Sequence, residues 1–354
     1  MSQCLLKARK PHLKSSLSLL QIARGMSASN GIFVFPDQAI FDLTQLLHKF
    51  YNLIILENQK KAYLFACLSV LMWSTVATAF KMTLRYLDPI QLLLYAVFFS
   101  ILILGGFIIV QKKIALLCAS EKKDIIPALL LGILNPFLYY LVLFKAYDLL
   151  PAQEAQPINY TWALTLMFLS IPILKQKMGL NDILAGLIGY FGVVVIATHG
   201  EITSLRFTSL TGVALALGST VFWALYWIYN KKSRLDPVIG LFLNFCAGFP
   251  LILLACFIFS DPIPNHPVGI LGAAYVGLFE MGITFVFWLY ALKYSVNTAK
   301  VGNLIFISPF LSLVFIHFLV GEEIRSATLV GLIFITLSIL IQRISLKVPG
   351  KSRS

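Results

Sequence analysis

A carboxylate in the middle of a long apolar stretch is the first feature of this sequence that points to chemistry. Glu280 lies near the centre of residues 267–292, a segment that holds no other charged side chain. A charge at that depth in a bilayer costs roughly 2.5–3.5 kcal/mol on insertion scales, so its presence calls for a reason. Either the carboxylate faces a cavity and binds an ammonium group or a proton, or a protonated Glu280 forms a hydrogen bond between two helices.

An internal repeat gives Glu280 a polar counterpart. A shift of 145 residues aligns residues 128–196 with residues 273–341 without a gap, and it pairs Glu280 with Asn135. Pro136 follows Asn135, and because proline has no backbone N–H we expect a kink in that helix. Polar side chains at mirrored mid-span positions predict a central site between two halves of the molecule.

Other polar and aromatic side chains lie on the same repeated segments. Trp73 and Trp223 occupy similar places at the start of the two halves, and Asn159 and Asn303 lie on repeat-related helices, one residue out of register. Each ring could equally pack or belong to an interfacial belt, and each amide could hold helices together. The candidate substrate-binding residues are Glu280, Asn135, Trp73, Trp223, Trp227, Tyr139, Asn159, Trp162 and Asn303.

Four charged residues lie closer to the ends of apolar segments, namely Glu154, Lys300, Lys81 and Lys145. They could gate a cavity. The interpretation that we favour is that these long side chains reach the membrane interface with their charged ends while their stems stay in lipid.

The sequence lacks the motifs of common catalytic and nucleotide-binding sites. There is no HExxH, GxxxxGK[ST] or GxSxG, and the five cysteines show no paired spacing. His317 stands alone in an apolar run. We therefore predict that the protein is not an enzyme and that it uses no metal and no cofactor.

The composition is that of a membrane protein. Hydrophobic residues make up 59% of the 354-residue chain and charged residues 12%, whereas about a quarter of an average soluble domain is charged. This excludes a disordered chain, a secreted disulfide scaffold and an ordinary cytosolic enzyme. The net charge of +13 arises mostly in short loops beside apolar segments, a pattern that sets membrane orientation rather than nucleic-acid binding.

The apolar segments predict an all-α membrane protein with ten transmembrane helices arranged as two inverted five-helix repeats. Because five is odd, the second repeat enters the membrane from the opposite side. We divide the chain into a basic tail (1–59), two repeats (60–200 and 207–346) and a basic C-terminus (347–354). The predicted spans are 62–84, 89–111, 125–147, 151–174, 183–199, 209–230, 237–260, 267–292, 296–320 and 327–345.

The N-terminal segment, residues 1–59, differs from the rest of the chain. It has five basic residues and no acidic one before Asp37, and residues 43–56 have the pattern of a short amphipathic helix. Three interpretations stay open: a basic tail on anionic lipid, a targeting segment, or an extension that results from a start codon assigned too far upstream.

The basic residues also predict the orientation. With both termini inside, 23 of the 28 Lys and Arg residues fall on the inner side, as the positive-inside rule requires. Without the tail the asymmetry is still 15 to five. The five outer ones are Lys81, Arg85, Lys145, Arg206 and Arg325.

The topology can be tested with reporters. We expect a reporter fused after Lys351 to report the cytoplasm and one inserted near Asn265 to report the outside, because of the asymmetry of basic residues. The opposite result at either point would contradict ten spans with both termini inside.

The fourth predicted helix resembles that of a known family. Residues 152–162 read AQEAQPINYTW, Gly186 and Gly331 open the last helix of each half, and Gly321-Glu322-Glu323 follows the ninth helix. Over residues 60–345 the chain is similar to EamA-type members of the drug/metabolite transporter superfamily. The first half departs from the family's Gly-Glu with Gln176-Lys177.

This resemblance implies secondary transport of small metabolites, often amino acids, through a cavity lined by helices 1, 3, 4, 6, 8 and 9. Residues 159–162, NYTW, resemble the Asn-Tyr-Leu-Trp-Pro stretch of aromatic amino acid exporters, with Thr161 in place of leucine and Ala163 in place of proline. Other members take up nucleotide-like metabolites such as S-adenosylmethionine.

The alternative that is not a transporter is a membrane-embedded enzyme or receptor. We expect a small-molecule substrate, a coupling proton and the lipid bilayer as partners, in the inner or plasma membrane.

Overall fold

The computed structural model describes residues 37–345 except 176–178, 205, 265, 297–300 and 303, and it describes side chains between residues 58 and 341. Within this part the chain is helical, with no strand. An apolar helix pairs its own backbone N–H and C=O groups, which is the condition for crossing lipid.

We number the principal helices in chain order. They are α1 (Asp37–Thr83), α2 (Pro89–Val110), α3 (Lys122–Leu149), α4 (Ala152–Leu174), α5 (Leu180–Ala197), α6 (Leu210–Asn230), α7 (Pro237–Phe259), α8 (Pro267–Tyr294), α9 (Leu304–Val320) and α10 (Ser326–Ser345). A short helix, Ile114–Cys118, lies between α2 and α3.

The helices agree with the predicted spans. Among the described residues, eight helices, α1 to α8, are long and apolar enough to cross a membrane, and α9 and α10 are shorter apolar helices. The prediction of an all-α membrane protein is therefore confirmed. Residues 43–56, where the sequence predicts a short amphipathic helix, are helical, but they are the N-terminal part of the long helix α1. No glycine or proline separates them from the rest of α1.

The second helix of each repeat, α2 and α7, starts with the same Asp-Pro capping signal. Asp88 caps α2 by accepting hydrogen bonds from the backbone N–H groups of Ile90 and Gln91 at 2.8 and 3.0 Å. Asp236 caps α7 in the same way, and each aspartate is followed by a proline. Proline suits the first helical position since its missing N–H would have no partner there.

The packing of the helices follows the internal repeat. The contact of α1 with α8 is mirrored by that of α6 with α3, and the contact of α1 with α9 by that of α6 with α4. Likewise α2 packs on α8 as α7 packs on α3, while α2 pairs with α7 and α5 with α10. The two halves therefore form one bundle, in which helices of one repeat pack against helices of the other.

Both α3 and α8 are broken in the middle, at repeat-related positions. A π-helical turn, Ile133–Leu138, interrupts α3, and α8 consists of Pro267–Phe279 and Ile283–Tyr294. The kink expected at Pro136 is therefore present. Broken helices near mid-membrane leave backbone groups free to line a site, which is the plan of many transporters.

Glycines let α5 and α10 approach closely. A Cβ on Gly192 would lie 2.6 Å from the carbonyl oxygen of Gly331, and a Cβ on Gly331 would lie 2.5 Å from that of Gly192. Small residues at such a crossing bring two backbones into contact, so this pair fixes the end helices of the two repeats against each other.

Candidate functional site

Glu280 occupies the break in α8. The first half of α8 ends at Phe279, and Gly282 precedes the second half with φ −111° and ψ −93°. The hydroxyl of Tyr140 donates a hydrogen bond to Oε1 of Glu280 at 3.0 Å. Because Tyr140 belongs to α3 and is fully buried, the carboxylate of one repeat is held by a side chain of the other.

Asn135 occupies the corresponding break in α3. Its φ of −143° and ψ of 115° are extended values inside an otherwise helical segment. Its side chain has 0% exposure, and the hydroxyl of Tyr226 lies near the amide. Neither Nδ2 nor Oδ1 makes a well-aligned hydrogen bond to a described residue. A buried polar group without a partner costs about 1–3 kcal/mol, so this amide has unused capacity for a bound molecule.

A chain of polar side chains joins three helices beside Glu280. The hydroxyl of Tyr139 donates to Oδ1 of Asn159 at 3.3 Å, and Nδ2 of Asn159 donates to the hydroxyl of Ser219 at 3.0 Å. The rings of Tyr139 and Tyr140 are in edge contact, with centroids 4.6 Å apart. Asn159 and Glu280 are therefore the two polar partners of one tyrosine pair.

An aromatic cluster surrounds this tyrosine pair. Trp73 contacts Phe285, with ring centroids 5.7 Å apart, and Trp288 at 5.5 Å. Trp223 stacks on Tyr139 at 4.5 Å and reaches Phe285 at 6.1 Å. Phe285 thus links the repeat-related tryptophans, and the cluster draws its rings from α1, α3, α6 and α8.

Trp223 extends the cluster along α6. Its ring lies 5.7 Å from that of Tyr226 and 5.7 Å from that of Trp227. Trp227 Nε1 is buried, and no residue in the described part of the chain accepts a hydrogen bond from it. This leaves a donor in the interior that no described side chain satisfies.

The structure brings most of the predicted site residues together. Contacts link Glu280 through Tyr140 and Tyr139 to Asn159 and to the tryptophans 73, 223 and 227. Asn135 is four residues before Tyr139, in the break of the same helix. Trp162 begins the second half of α4 and packs on the core, but the described ring contacts do not join it to the cluster. Asn303 lies outside the described residues.

Sequence reasoning missed four neighbours of these residues: Tyr140, Ser219, Tyr226 and Phe285. Tyr140 and Phe285 are themselves 145 residues apart, so the repeat alignment held a signal for them. Ser219 contacts Asn159 across two helices, and no spacing within the sequence predicts such a contact.

Glu154 differs from its predicted role. The interpretation that Glu154 reaches the membrane interface is wrong, because its side chain is only 1% exposed. Its Oε1 accepts from Arg325 at 2.5 Å and lies 3.0 Å from Nε2 of His199 and from the hydroxyl of Thr208. The first half of α4 is packed on all sides, so the carboxylate cannot reach solvent and pairs inside.

The lysines divide between two roles. Lys145 is 49% exposed and pairs with Asp148 at 2.6 Å, as expected of a residue at the interface. Nζ of Lys81 instead donates to the backbone carbonyls of Tyr147 and Leu150 at 2.8 and 2.7 Å, so it holds the end of α3. Lys300 lies outside the described residues.

These features define a class of protein. Two structurally related halves, broken helices from each, and polar side chains at both breaks form the plan of a membrane transporter with a central site.

The sequence profile of the EamA-like transporter family matches residues 60–198 and 210–343. The chain belongs to this family, and it is a transporter of the multi-pass membrane type. The two matched ranges are the two halves of the bundle.

Relatives in bacteria carry transporter names. The chain is 26% identical over 291 residues to an uncharacterized transporter of Clostridium kluyveri, covering 80% of this chain and 93% of the relative. It is 28% identical over 290 residues to the uncharacterized transporter YvbV of Bacillus subtilis, covering 80% and 92%. It is 25% identical over 259 residues to the aromatic amino acid exporter YddG of Ancylobacter novellus, covering 72% and 87%.

A solved protein structure has the same fold. It superposes with a TM-score of 0.58 at 20% sequence identity, over 81% of this chain and 97% of the other. At this identity the likeness concerns the fold alone.

Proposed function

We propose that this protein is a secondary transporter that moves a small, amino-acid-like metabolite across the cell membrane by alternating access. The observation that carries the proposal is the position of Glu280, in the break of α8 and bonded to Tyr140 of the opposite repeat. A carboxylate between two halves that move relative to each other can bind an ammonium group or a coupling proton from either side of the membrane.

The unused polar groups support a ligand of mixed polarity. Asn135 offers a donor and an acceptor that have only the hydroxyl of Tyr226 nearby, and Trp227 Nε1 offers a donor without a partner among the described residues. The hydroxyl of Ser312 on α9 is likewise buried without a partner among the described residues. Buried polar groups are normally paired, so a bound metabolite that forms hydrogen bonds with these groups would satisfy them.

The aromatic cluster supports a substrate with an apolar or aromatic body. Trp73, Trp223 and Phe285 present ring faces and edges near the carboxylate-bearing break, and such rings contribute packing and ring–ring attraction. The aromatic amino acid exporter among the relatives agrees with this chemistry. The orientation with both termini inside and the location in the inner or plasma membrane are part of the same proposal.

Uptake into proteoliposomes tests the proposal. Purified protein is reconstituted, and pools of labelled amino acids are offered beside a pool of nucleotide-like metabolites that includes S-adenosylmethionine, each with and without a pH gradient. We expect accumulation from an amino-acid pool, above that in protein-free liposomes. Accumulation only from the nucleotide-like pool would replace the substrate class, and accumulation from neither would contradict the proposal.

A further inference from the structure

A second polar cluster lies at the end of the bundle where α1, α3 and α5 end and where α4 and α10 begin. We call it the α4 latch and define it as Gln153, Glu154, Glu322 and Arg325. Two of these residues belong to the first turn of α4, and two to the turn between α9 and α10. By the distribution of basic residues this is the outer end.

Glu322 holds the first backbone groups of α4. Its Oε1 accepts from the N–H of Ala152 at 2.8 Å, and its Oε2 accepts from the N–H of Gln153 at 3.1 Å. These N–H groups have no partner within the helix, and a carboxylate also interacts favourably with the positive end of a helix dipole. The loop before α10 thus supplies the cap that the sequence before α4 lacks.

Gln153 uses both ends of its amide in the same contact. Its Nε2 donates to the carbonyl of Glu323 at 2.8 Å, and its Oε1 accepts from the N–H of Arg325 at 2.9 Å and from the hydroxyl of Thr328 at 3.1 Å. The side chain is 3% exposed. These bonds can form only while α4 and α10 are adjacent.

Glu154 adds an ion pair that joins four segments. Its Oε1 contacts Arg325 before α10, His199 after α5 and Thr208 before α6, while the carboxylate itself belongs to α4. Arg325 is 42% exposed. The ion pair therefore lies at the boundary between the packed interior and the surface, where a cavity would open.

A neighbouring contact closes the same end. Nη2 of Arg85, just after α1, donates to the carbonyl of Val320 at the end of α9 at 2.9 Å. The first half of α4 also contacts α1 and α9. In this conformation these contacts join the outer ends of α1, α4 and α9.

We propose that the α4 latch is the gate of the outer end: opening to that side breaks the bonds of Glu154 and Glu322, and the latch sets the fraction of molecules that are open. This inference rests on the proposed alternating access. The two carboxylates have different tasks, because Glu322 caps the helix whereas Glu154 pairs with a cation that can separate from it.

Cysteine accessibility in the absence of substrate tests the gate. All native cysteines are replaced, and Ala155, which is 0% exposed and one turn from Asn159 on α4, is changed to cysteine. A water-soluble thiol reagent then modifies the purified protein at a rate proportional to the open fraction. We expect Glu154→Gln to raise this rate about tenfold and Arg325→Gln to raise it similarly, because each removes one partner of the ion pair.

Two controls separate gate opening from general loosening. Ala291, also 0% exposed, packs with Ala62 at the opposite end of the bundle, and a cysteine there should react no faster in either variant. Glu201→Gln removes an exposed carboxylate at the outer end and should leave both rates unchanged. Arg325→Gln changes a partly exposed residue, so it stays informative if Glu154→Gln does not fold.

The proposal is overturned if either folded variant reacts at position 155 at the parent rate, or if the rate rises equally at both ends. The labelling needs no substrate, so its result is independent of the transport assay. A faster rate at position 155 with no transported amino acid would preserve the gate and reject the substrate. Transport of an amino acid by the parent protein, with unchanged labelling in both variants, would preserve the proposed substrate and reject the gate.

Discussion

Glu280→Gln is expected to reduce transport to less than about a tenth of the wild-type rate while the amount of protein in the membrane stays the same. The amide keeps the shape of the side chain and can still accept from Tyr140, but it cannot carry a charge or exchange a proton. A hydrogen bond to a charged group is worth about 1.5–3 kcal/mol, which corresponds to a factor of ten or more. The measurement is initial uptake into proteoliposomes at several pH values.

The control for this variant is Glu121→Gln. Glu121 is 65% exposed in the loop before α3, and among the described ion pairs it pairs only with Lys123, which is 59% exposed, so we expect normal transport. If Glu280 binds a proton or an ammonium group, the pH dependence of transport should flatten in Glu280→Gln. Normal transport by Glu280→Gln, with the wild-type pH dependence, would mean that Glu280 only joins helices.

Gly192→Val is expected to lower the free energy of unfolding by about 3 kcal/mol or more, the upper end of the usual cost of overpacking. Any Cβ at this position meets the backbone carbonyl of Gly331 at 2.6 Å, and a backbone atom cannot move aside as a side chain can. The contact between α5 and α10 must therefore widen. Thermal unfolding in detergent, followed by the loss of the monodisperse peak in size-exclusion chromatography, measures the effect.

Gly106→Val is the matched control. Gly106 is also inside a helix, α2, but a Cβ there has nothing within 4 Å. The same substitution therefore adds volume on an open face, and we expect a melting temperature close to that of the wild type. Equal melting temperatures for Gly192→Val and the wild type would show that α5 and α10 separate without cost.

The identity of the elements could be predicted because lipid leaves few choices. Segments such as 89–111 and 237–260 contain no charged residue, and only a helix satisfies their backbone in lipid. The Asp-Pro pairs that open α2 and α7 mark the helix starts locally. Likewise, the cost of a charge at mid-span singled out Glu280 before any contact of that residue was known.

The partners of the site residues could not be predicted in the same way. The pairing of Asn135 with Glu280 follows from the repeat, but Tyr140 as the donor to Glu280 depends on how α3 lies against α8. Trp73 and Trp223 were chosen for their place in the sequence, whereas Phe285, which links them, is identified by contacts between three helices.

The sequence by itself determined the helices, their approximate limits, the repeat and the central carboxylate, because hydropathy, proline, glycine and charge act locally along the chain. Only the tertiary structure decided that Glu154 is buried and paired. At the sequence level a glutamate near a helix end is expected to reach the interface. In the fold, Arg325 and His199 arrive from distant segments and contact Oε1 of the carboxylate. Pairing with these groups offsets part of the cost of burying it, while Oε2 has no partner among the described residues. Such compensation depends on which helix ends meet, and that is a property of the packed bundle.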